Sequence, residues 1–364
     1  MTSDQEKQES IDELPESTAE ILCEDLYLPP SESGVQIHLR RKFPASGTGK
    51  SGRSVIVFVH GATYSGVPAF DPALPGGSWL DFAAAHGHDA YAVDVRGYGL
   101  SSRPAAAAGP LGVEKPYART DEAVCDLTAA VDFILARTGA DCVDLVGWSW
   151  GTAICGEYAS THGDKVRRLV LYAPLWILRK KSDWPLVLAP LASFPALAPL
   201  YVASLPSVRS IELEDARRRW FRGLDVHTAE TLCPSAVVES WWHATISADP
   251  VGSVQIPPRL IAPNGVVADL LEYWAVGIPT YDPGRITTPV LVILGEWDAD
   301  TPPEMAQELF GRLTAAPYKR LEVLGRGTHS MSLEVNRFDL YQRVGLFLNT
   351  HFILSDEKPI TTSV

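Results

Sequence analysis

Ser149 lies in the sequence Gly147-Trp148-Ser149-Trp150-Gly151, a Gly-x-Ser-x-Gly motif that directly follows an apolar run. In a strand-to-helix turn of this kind, the glycines allow a sharp turn and close backbone packing, and the serine hydroxyl projects from the end of the sheet. Such a hydroxyl can attack a carbonyl carbon if a base removes its proton. The motif is short enough to recur by chance, so the prediction of a nucleophile depends on a base, an acid and an oxyanion hole.

The base and the acid are predicted from their positions after later strands. Of the nine histidines, His329 follows the last predicted strand in a glycine-rich loop, which places it at the carboxyl edge of the sheet. The acid that orients such an imidazole comes between the serine and the histidine in the chain. Asp298 satisfies this order in the turn after the preceding strand. Glu296 and Asp300 in the same turn are competitors, and only the spacing of the turn favours Asp298.

Two backbone amides are predicted to form the oxyanion hole that acyl transfer requires. One belongs to Trp150, directly after the serine, and the other to Ala62, in the turn after an earlier strand. His60, at the start of that turn, is interpreted as structural. Three aromatic residues are predicted to contact the substrate, namely Tyr64, Trp148 and Trp176.

Alternating strands and helices are expected to bring these residues to one edge of a sheet. Short β-branched runs predict strands at residues 21–27, 35–42, 55–59, 90–93, 143–146, 169–172, 290–294 and 320–324, the first two of them antiparallel. Longer periodic stretches predict helices at residues 79–86, 120–137, 152–162, 303–314 and 333–352. The pattern predicts an α/β fold in which helices cover both faces of a mostly parallel, eight-stranded sheet.

Residues 175–285 do not show this alternation of strands and helices, and they are rich in proline and tryptophan. Six tryptophans lie among helical stretches there: Trp176, Trp184, Trp220, Trp241, Trp242 and Trp274. We interpret the segment as a helical cap over the carboxyl ends of the strands, where ligands bind in open α/β sheets. Most of these tryptophans are expected to form the core of the cap itself. The predicted organisation is a disordered acidic leader at 1–20, a core at 21–174 and 286–354, and the cap at 175–285.

Composition restricts the class of partner. The formal net charge is −13 and no long Lys/Arg run is present, which argues against nucleic acid or an anionic membrane surface as the main partner. The five cysteines are scattered without CxxC spacing, so neither a disulfide framework nor a zinc site is predicted. Residues 1–20 are acidic and polar, unlike a secretory signal, and no stretch is apolar enough to span a bilayer. We therefore expect a cytoplasmic enzyme with a small-molecule substrate and no integral membrane association.

Five motifs, in this order, resemble those of the α/β-hydrolase superfamily, and specifically its capped branch related to esterases, carbon–carbon bond hydrolases and epoxide hydrolases. The resemblance covers residues 26–352. It rests on His60-Gly61, the run DVRGYGLSSRP at 94–104, the Ser149 elbow, the Asp298 turn and His329. It implies a serine hydrolase that works through an acyl-enzyme, with no metal or organic cofactor. The 94–104 run is similar to a loop that packs beside the active site in those relatives.

The resemblance leaves several activities open. Ser149 disfavours epoxide hydrolases and haloalkane dehalogenases, which attack with a carboxylate. Prolyl aminopeptidases resemble this chain in the tryptophan after the serine, and Glu212, Glu214 and Asp215 could hold a substrate amine. Their run of glycines and a proline is however replaced by Ala-Thr-Tyr at 62–64. Carbon–carbon bond hydrolases use the same triad, whereas a ligand receptor would not need it.

The expected substrate is an ester. Tryptophans and prolines in the predicted cap indicate an apolar, fairly rigid pocket. We therefore expect an uncharged ester with a medium acyl chain or an aromatic group to be preferred over a charged one.

Overall fold

The computed structural model describes residues 20–30, 34–45, 53–104, 115–179 and 197–350. The strands are β1 (Ile21–Tyr27), β2 (His38–Pro44), β3 (Val55–Val59), β4 (Asp89–Asp94), β5 (Val143–Trp148), β6 (Val166–Tyr172), β7 (Val208–Ile211), β8 (Leu260–Pro263), β9 (Val290–Gly295) and β10 (Lys319–Leu324). The α-helices are α1 (Gly66–Phe70), α2 (Trp79–Ala85), α3 (Thr120–Thr138), α4 (Trp150–Thr161), α5 (Ala198–Ser204), α6 (Leu213–Trp220), α7 (Val226–Leu232), α8 (Ser235–Ser247), α9 (Gly265–Glu272), α10 (Pro303–Arg312) and α11 (Arg337–Asn349). The predicted leader and the end of the last predicted helix lie outside the described residues.

The main sheet has eight strands in the order β1-β2-β4-β3-β5-β6-β9-β10. Strand β2 pairs antiparallel with both β1 and β4, and the remaining neighbours pair in parallel. The predicted mostly parallel α/β sheet with two antiparallel strands at its start is therefore confirmed.

The sheet is buried on both faces, which explains why its central strands are continuous apolar runs. Alternate residues of β3 belong to different hydrophobic clusters. Val55, Val57 and Val59 face the cluster that contains α3 and α4. Ile56 and Phe58 face the cluster that contains α2 and α11. The strand is thus held between two helical layers.

The carboxyl ends of the parallel strands meet at one edge of the sheet. The loop after β3 starts at His60, the elbow after β5 contains Ser149, the turn after β9 contains Asp298, and the loop after β10 contains His329. Because these strands run in the same direction, residues that are distant in the chain lie together at this edge.

Several predicted boundaries differ from the structure, and two of these differences have clear local reasons. Strand β2 begins at His38, not at residue 35, because its ladder with β1 ends at the Tyr27–His38 pair. Pro29 and Pro30, which follow in the partner strand, lack the N–H groups that would extend it. The last helix begins at Arg337 because residues Met331–Leu333 form a separate 3₁₀ turn.

The predicted cap segment contains a strand pair in addition to its helices. In the described part of residues 175–285, β7 and β8 form an antiparallel ladder with four residue pairs. Nearly fifty residues separate these short strands, so no local pattern identifies them as partners. Helix α8 contacts helix α1 through Trp241, whose Nε1 donates to the carbonyl of Pro68 at 2.9 Å. No helix in the described part of the chain combines the length and apolarity needed to cross a membrane.

Candidate active site

Ser149 occupies a strained turn between β5 and α4, with φ +56° and ψ −119°. A residue with a side chain rarely adopts positive φ, and such strain is typical of functional sites. Two glycines make the turn possible. A Cβ at Gly147 would lie 2.4 Å from the carbonyl oxygen of Gly151, and a Cβ at Gly151 would lie 2.1 Å from that of Val59. Helix α4 can therefore approach the sheet closely enough to present Ser149 at its edge.

His329 and Asp298 are paired. The Nδ1–H of His329 donates to both carboxylate oxygens of Asp298, at 3.0 Å and 2.9 Å, and both side chains are buried. A carboxylate can only accept a hydrogen bond, so this contact fixes the tautomer with the proton on Nδ1. Nε2 is then the unprotonated nitrogen, as a general base requires.

The Asp298 carboxylate is itself held by the turn that contains it. Its Oδ1 accepts from the amides of Asp300 and Thr301 at 3.0 Å and 2.8 Å, and its Oδ2 accepts from the Thr301 hydroxyl at 2.8 Å. These bonds fix the orientation of the carboxylate. Sequence reasoning missed Thr301, although a threonine three residues after an aspartate is a recognisable turn signal.

The other two carboxylates of this turn have different partners. Glu296 is exposed and accepts from the backbone amide of Arg326. Asp300 forms ion pairs with Arg219 and Arg222 of the predicted cap segment. Burial alone would raise the pKa of Asp300, but the charge of Arg219, assisted by His329 and Arg222, lowers it to about 2. Only Asp298 contacts the imidazole among these three acids.

Ser149 and His329 border the same small cavity of about 20 Å³. His329 Nε2 is buried and has no hydrogen-bond partner among the described residues. No hydrogen bond joins it to the Ser149 hydroxyl. Catalytic hydrogen bonds of this kind often tighten only in the complex with substrate.

The predicted oxyanion loop, residues 60–64, lies directly against the elbow. A Cβ at Gly61 would be 3.0 Å from the Cβ of Ser149, so only glycine fits there without displacing the serine. Helix α4 begins at Trp150, whose amide is among those that a helix leaves without an internal acceptor. Ala62 borders the small cavity together with Ser149. Trp150 and Ala62, the two residues predicted to donate these amides, thus lie at the elbow and at the cavity beside it.

His60 stabilises the predicted oxyanion loop through hydrogen bonds of both ring nitrogens. Its Nδ1–H donates to the Gly61 carbonyl at 2.7 Å, and its Nε2 accepts from the Val95 amide at 3.1 Å. Burial lowers the pKa of His60, which keeps the ring neutral as these two bonds require. Tyr98, in the 94–104 run, donates its hydroxyl to the Ala62 carbonyl at 2.8 Å. The structural interpretation of His60 therefore agrees with its contacts.

The three aromatic residues predicted to contact substrate have different positions. Tyr64 and Trp148 border the small cavity. Trp148 also has a positioning contact, because its Nε1 donates to the His329 carbonyl at 2.9 Å. Tyr172, which sequence reasoning did not select, donates to the same carbonyl at 3.0 Å. Together these donors hold the backbone of the loop that carries the imidazole.

Trp176 does not lie at this site, so its predicted substrate contact is corrected. The side chain is fully buried, its ring packs edge-on against Tyr281 with centroids 5.4 Å apart, and it borders a different cavity. The Trp176 amide lies 3.1 Å from the sulfur of Met305 on α10. Trp176 borders neither of the cavities that Ser149 borders. Trp184 lies outside the described residues.

A larger cavity of about 520 Å³ also borders Ser149, Ala62, Thr63 and Tyr64. One wall is apolar and the other carries charged side chains of α6 and β7. The apolar wall includes Leu175, Leu178, Val266 and Leu270, and the charged wall includes Arg209, Asp215, Arg218, Arg219 and Arg222. The cavity lining therefore combines the expected apolar surface with a group of charged side chains that the sequence analysis did not anticipate. No cluster of His, Cys, Asp and Glu suited to a metal ion occurs within the described ranges.

Comparison with known proteins identifies the family. A family model described as the alpha/beta hydrolase fold matches residues 54–334, which is more than half of the chain. The chain belongs to the α/β-hydrolase family. The crystal structure of a bromoperoxidase from Bacillus anthracis is similar to this α/β-hydrolase over 90% of this chain and 100% of that chain, with a TM-score of 0.59 and 18% identity. At 18% identity, this similarity shows a shared fold.

Two characterised relatives of this α/β-hydrolase differ in the bond that their names specify. Proline iminopeptidase of Xylella fastidiosa is 26% identical over 137 residues, which are 37% of this chain and 43% of that protein. Pimeloyl-(acyl-carrier protein) methyl ester esterase of Neisseria meningitidis serogroup B is 26% identical over 205 residues, which are 56% of this chain and 68% of that protein. This chain thus spans less than half of the length of the first relative.

Proposed function

We propose that this α/β-hydrolase is a serine hydrolase that cleaves carboxylic esters through an acyl-enzyme on Ser149. One observation carries the proposal. Asp298 holds His329 through Nδ1, and the other ring nitrogen, Nε2, is buried without a partner among the described residues, beside a cavity that Ser149 also borders. A buried polar atom without a partner is unusual and calls for a functional explanation. Accepting the serine proton is the explanation that this geometry supports.

The proposed reaction has two similar halves. The Ser149 hydroxyl attacks the acyl carbonyl carbon while His329 Nε2 takes its proton, and the amides of Ala62 and Trp150 stabilise the oxyanion. The tetrahedral intermediate expels the alcohol, which receives that proton from His329. Water then attacks the acyl-enzyme with His329 again as base, and the acid product leaves with Ser149 regenerated. Asp298 stabilises the imidazolium in both halves.

We further propose that residues 175–285 act as a cap that shapes the substrate cavity. Trp220 of α6 borders the small cavity, and its Nε1 donates to the buried Glu334 carboxylate at 2.9 Å. Arg219 of the same helix donates to the Thr63 hydroxyl at 2.9 Å. These contacts connect α6 to the oxyanion loop and to the loop after β10.

The cavity charges favour an esterase over an aminopeptidase. An aminopeptidase must bind a substrate ammonium, for which the sequence offered Glu212, Glu214 and Asp215. Glu212 and Glu214 are exposed and border neither cavity beside Ser149, while Asp215 already pairs with Arg218 at 3.0 Å. A wall with more arginines than carboxylates repels a cationic substrate.

A direct competition of substrates tests the proposed reaction. The enzyme is offered p-nitrophenyl acetate, p-nitrophenyl butyrate and proline-naphthylamide, and a fluorophosphonate probe reports on the reactive serine. We expect both esters to be hydrolysed with a higher kcat/KM than the amide, and we expect the probe to label wild type but not Ser149→Ala.

Two outcomes would contradict the proposal. Faster cleavage of the amide would make the protein an aminopeptidase. Labelling of Ser149 without turnover of any of these substrates would point to carbon–carbon bond cleavage or to a receptor role.

A further inference from the structure

The larger cavity is cationic although the protein as a whole is acidic. Four arginines border it, Arg209, Arg218, Arg219 and Arg222, against the two carboxylates of Asp215 and Asp300. The difference is a formal charge of +2 on the lining, whereas the whole chain carries −13. A positively charged cavity in a protein of negative net charge indicates that the cavity attracts anionic ligands.

Three of these four arginines have carboxylate partners within the protein. Arg218 pairs with Asp215 at 3.0 Å, while Arg219 and Arg222 share Asp300. Those charges are therefore explained by contacts that stabilise α6 and join it to the turn after β9. The excess is therefore divided between the two arginines that share Asp300 and the remaining arginine, Arg209, which pairs with no carboxylate of the described residues.

Among the described residues, the acceptors of Arg209 are all neutral. Its Nη1 donates to the carbonyl of Pro263 and lies 3.4 Å from Oδ1 of Asn264, and its Nη2 donates to the carbonyl of Ala62. No carboxylate of the described ranges lies within ion-pairing distance of it. Burial, together with the charge of Arg219, lowers the pKa of Arg209. Removing most of a cation from water without a counter-charge costs free energy. An anionic ligand that pairs with Arg209 would lower that cost.

The position of Arg209 connects this charge to the proposed reaction centre. The residue lies on β7, which the ladder with β8 holds in place. Its contact with the Ala62 carbonyl puts the guanidinium against the oxyanion loop, and the side chain remains partly exposed where it borders the larger cavity with Ser149. A group that pairs with Arg209 would lie close to an acyl carbonyl that Ser149 attacks.

We propose that the substrate is an ester that also carries a carboxylate, which pairs with Arg209 while an aliphatic part lies on the wall formed by Leu175, Leu178, Val266 and Leu270. A guanidinium matches a carboxylate in shape and charge better than any neutral ligand does. The inference rests on the proposed ester hydrolysis at Ser149. It replaces the expectation of an uncharged substrate, which was based on the tryptophans and prolines of the predicted cap.

Two pairs of esters that differ only in charge test this proposal. The first pair is monohexyl glutarate and its terminal carboxamide, with the charge on the acyl side. The second is 4-hexanoyloxybutanoate and its carboxamide, with the charge on the alcohol side. For wild type we expect the carboxylate member of at least one pair to have a kcat/KM about 10- to 100-fold higher than its carboxamide, the range of a hydrogen bond to a charged group.

Variants assign the preference to Arg209. Because Arg209→Met also removes the contact with Ala62, it is expected to slow both members of a pair, so the informative quantity is the carboxylate-to-carboxamide ratio. That ratio should fall to near one in Arg209→Met and recover in part in Arg209→Lys. The matched control is Arg217→Met, because Arg217 pairs with Glu239 on α8 and borders neither cavity beside Ser149. Its ratio should remain that of wild type.

The outcomes separate this inference from the proposed function. Hydrolysis of p-nitrophenyl butyrate that depends on Ser149, with no preference for either carboxylate, would overturn the anionic substrate but leave the esterase. A preference that survives Arg209→Met would also overturn it. Absence of any Ser149-dependent ester hydrolysis would contradict the proposed function itself.

Discussion

Ser149→Ala is expected to lower kcat/KM for p-nitrophenyl butyrate by on the order of 10⁴-fold or more. The methyl group cannot attack a carbonyl carbon, so only the oxyanion amides and substrate binding would remain to support a reaction with water. Turnover is measured from p-nitrophenol release at matched enzyme concentration.

The loss should occur without unfolding. The substitution would keep the backbone of the elbow, because alanine and serine meet the same strain at φ +56°. The thermal midpoint is therefore expected to change little. The control is Ser160→Ala, which removes a half-buried hydroxyl from α4, the helix that follows the elbow; among the described residues this hydroxyl bonds only the Glu157 carbonyl. Near-normal turnover in Ser149→Ala would show that another group is the nucleophile.

Asp298→Asn is expected to lower kcat/KM by roughly 10³- to 10⁴-fold, which is the largest effect after that of Ser149→Ala. An amide carries no charge to stabilise the imidazolium, and its NH₂ group would donate to Nδ1. That donation would favour the tautomer with the proton on Nε2, which cannot accept the proton of Ser149. Steady-state kinetics with p-nitrophenyl butyrate measures the effect.

The matched control for this variant is Glu296→Gln in the same turn. Glu296 is exposed and bonds only the Arg326 amide, so its kcat/KM should stay within about threefold of wild type, as for most surface substitutions. A small loss in Asp298→Asn together with a large loss in Glu296→Gln would show that the wrong carboxylate has been assigned to His329.

The sequence predicts those features of this protein that depend on local patterns. Strand β3 is predicted to the residue because its five apolar residues are bounded by Ser54 and the turn at His60. The order of Ser149, Asp298 and His329 follows from strand ends, and parallel pairing then places them at one edge. The choice among the three acids of the β9 turn depends on distances, so it requires the structure.

Features that depend on long-range contacts are not visible in the sequence. Trp176 is aromatic and follows β6, yet it packs against Tyr281 and borders neither cavity beside Ser149. Tyr172 donates a hydrogen bond to the His329 carbonyl, although the sequence predicts its position only as part of a buried strand. Arg209 is one of several arginines in the predicted cap, and what distinguishes it is its place in the lining of a cavity beside Ser149 without a carboxylate partner among the described residues. Such properties arise from pairing between distant segments, as β7 with β8 illustrates.

The most direct test of the proposed mechanism is to identify the residue that carries the acyl group. Wild-type enzyme turning over p-nitrophenyl butyrate is quenched in acid, digested, and analysed by mass spectrometry of the peptide that contains Ser149. We predict a butyryl group on Ser149 that is present during turnover and disappears when the ester is consumed. A butyryl group on another side chain, or rapid p-nitrophenol release while Ser149 remains unmodified, would contradict the mechanism.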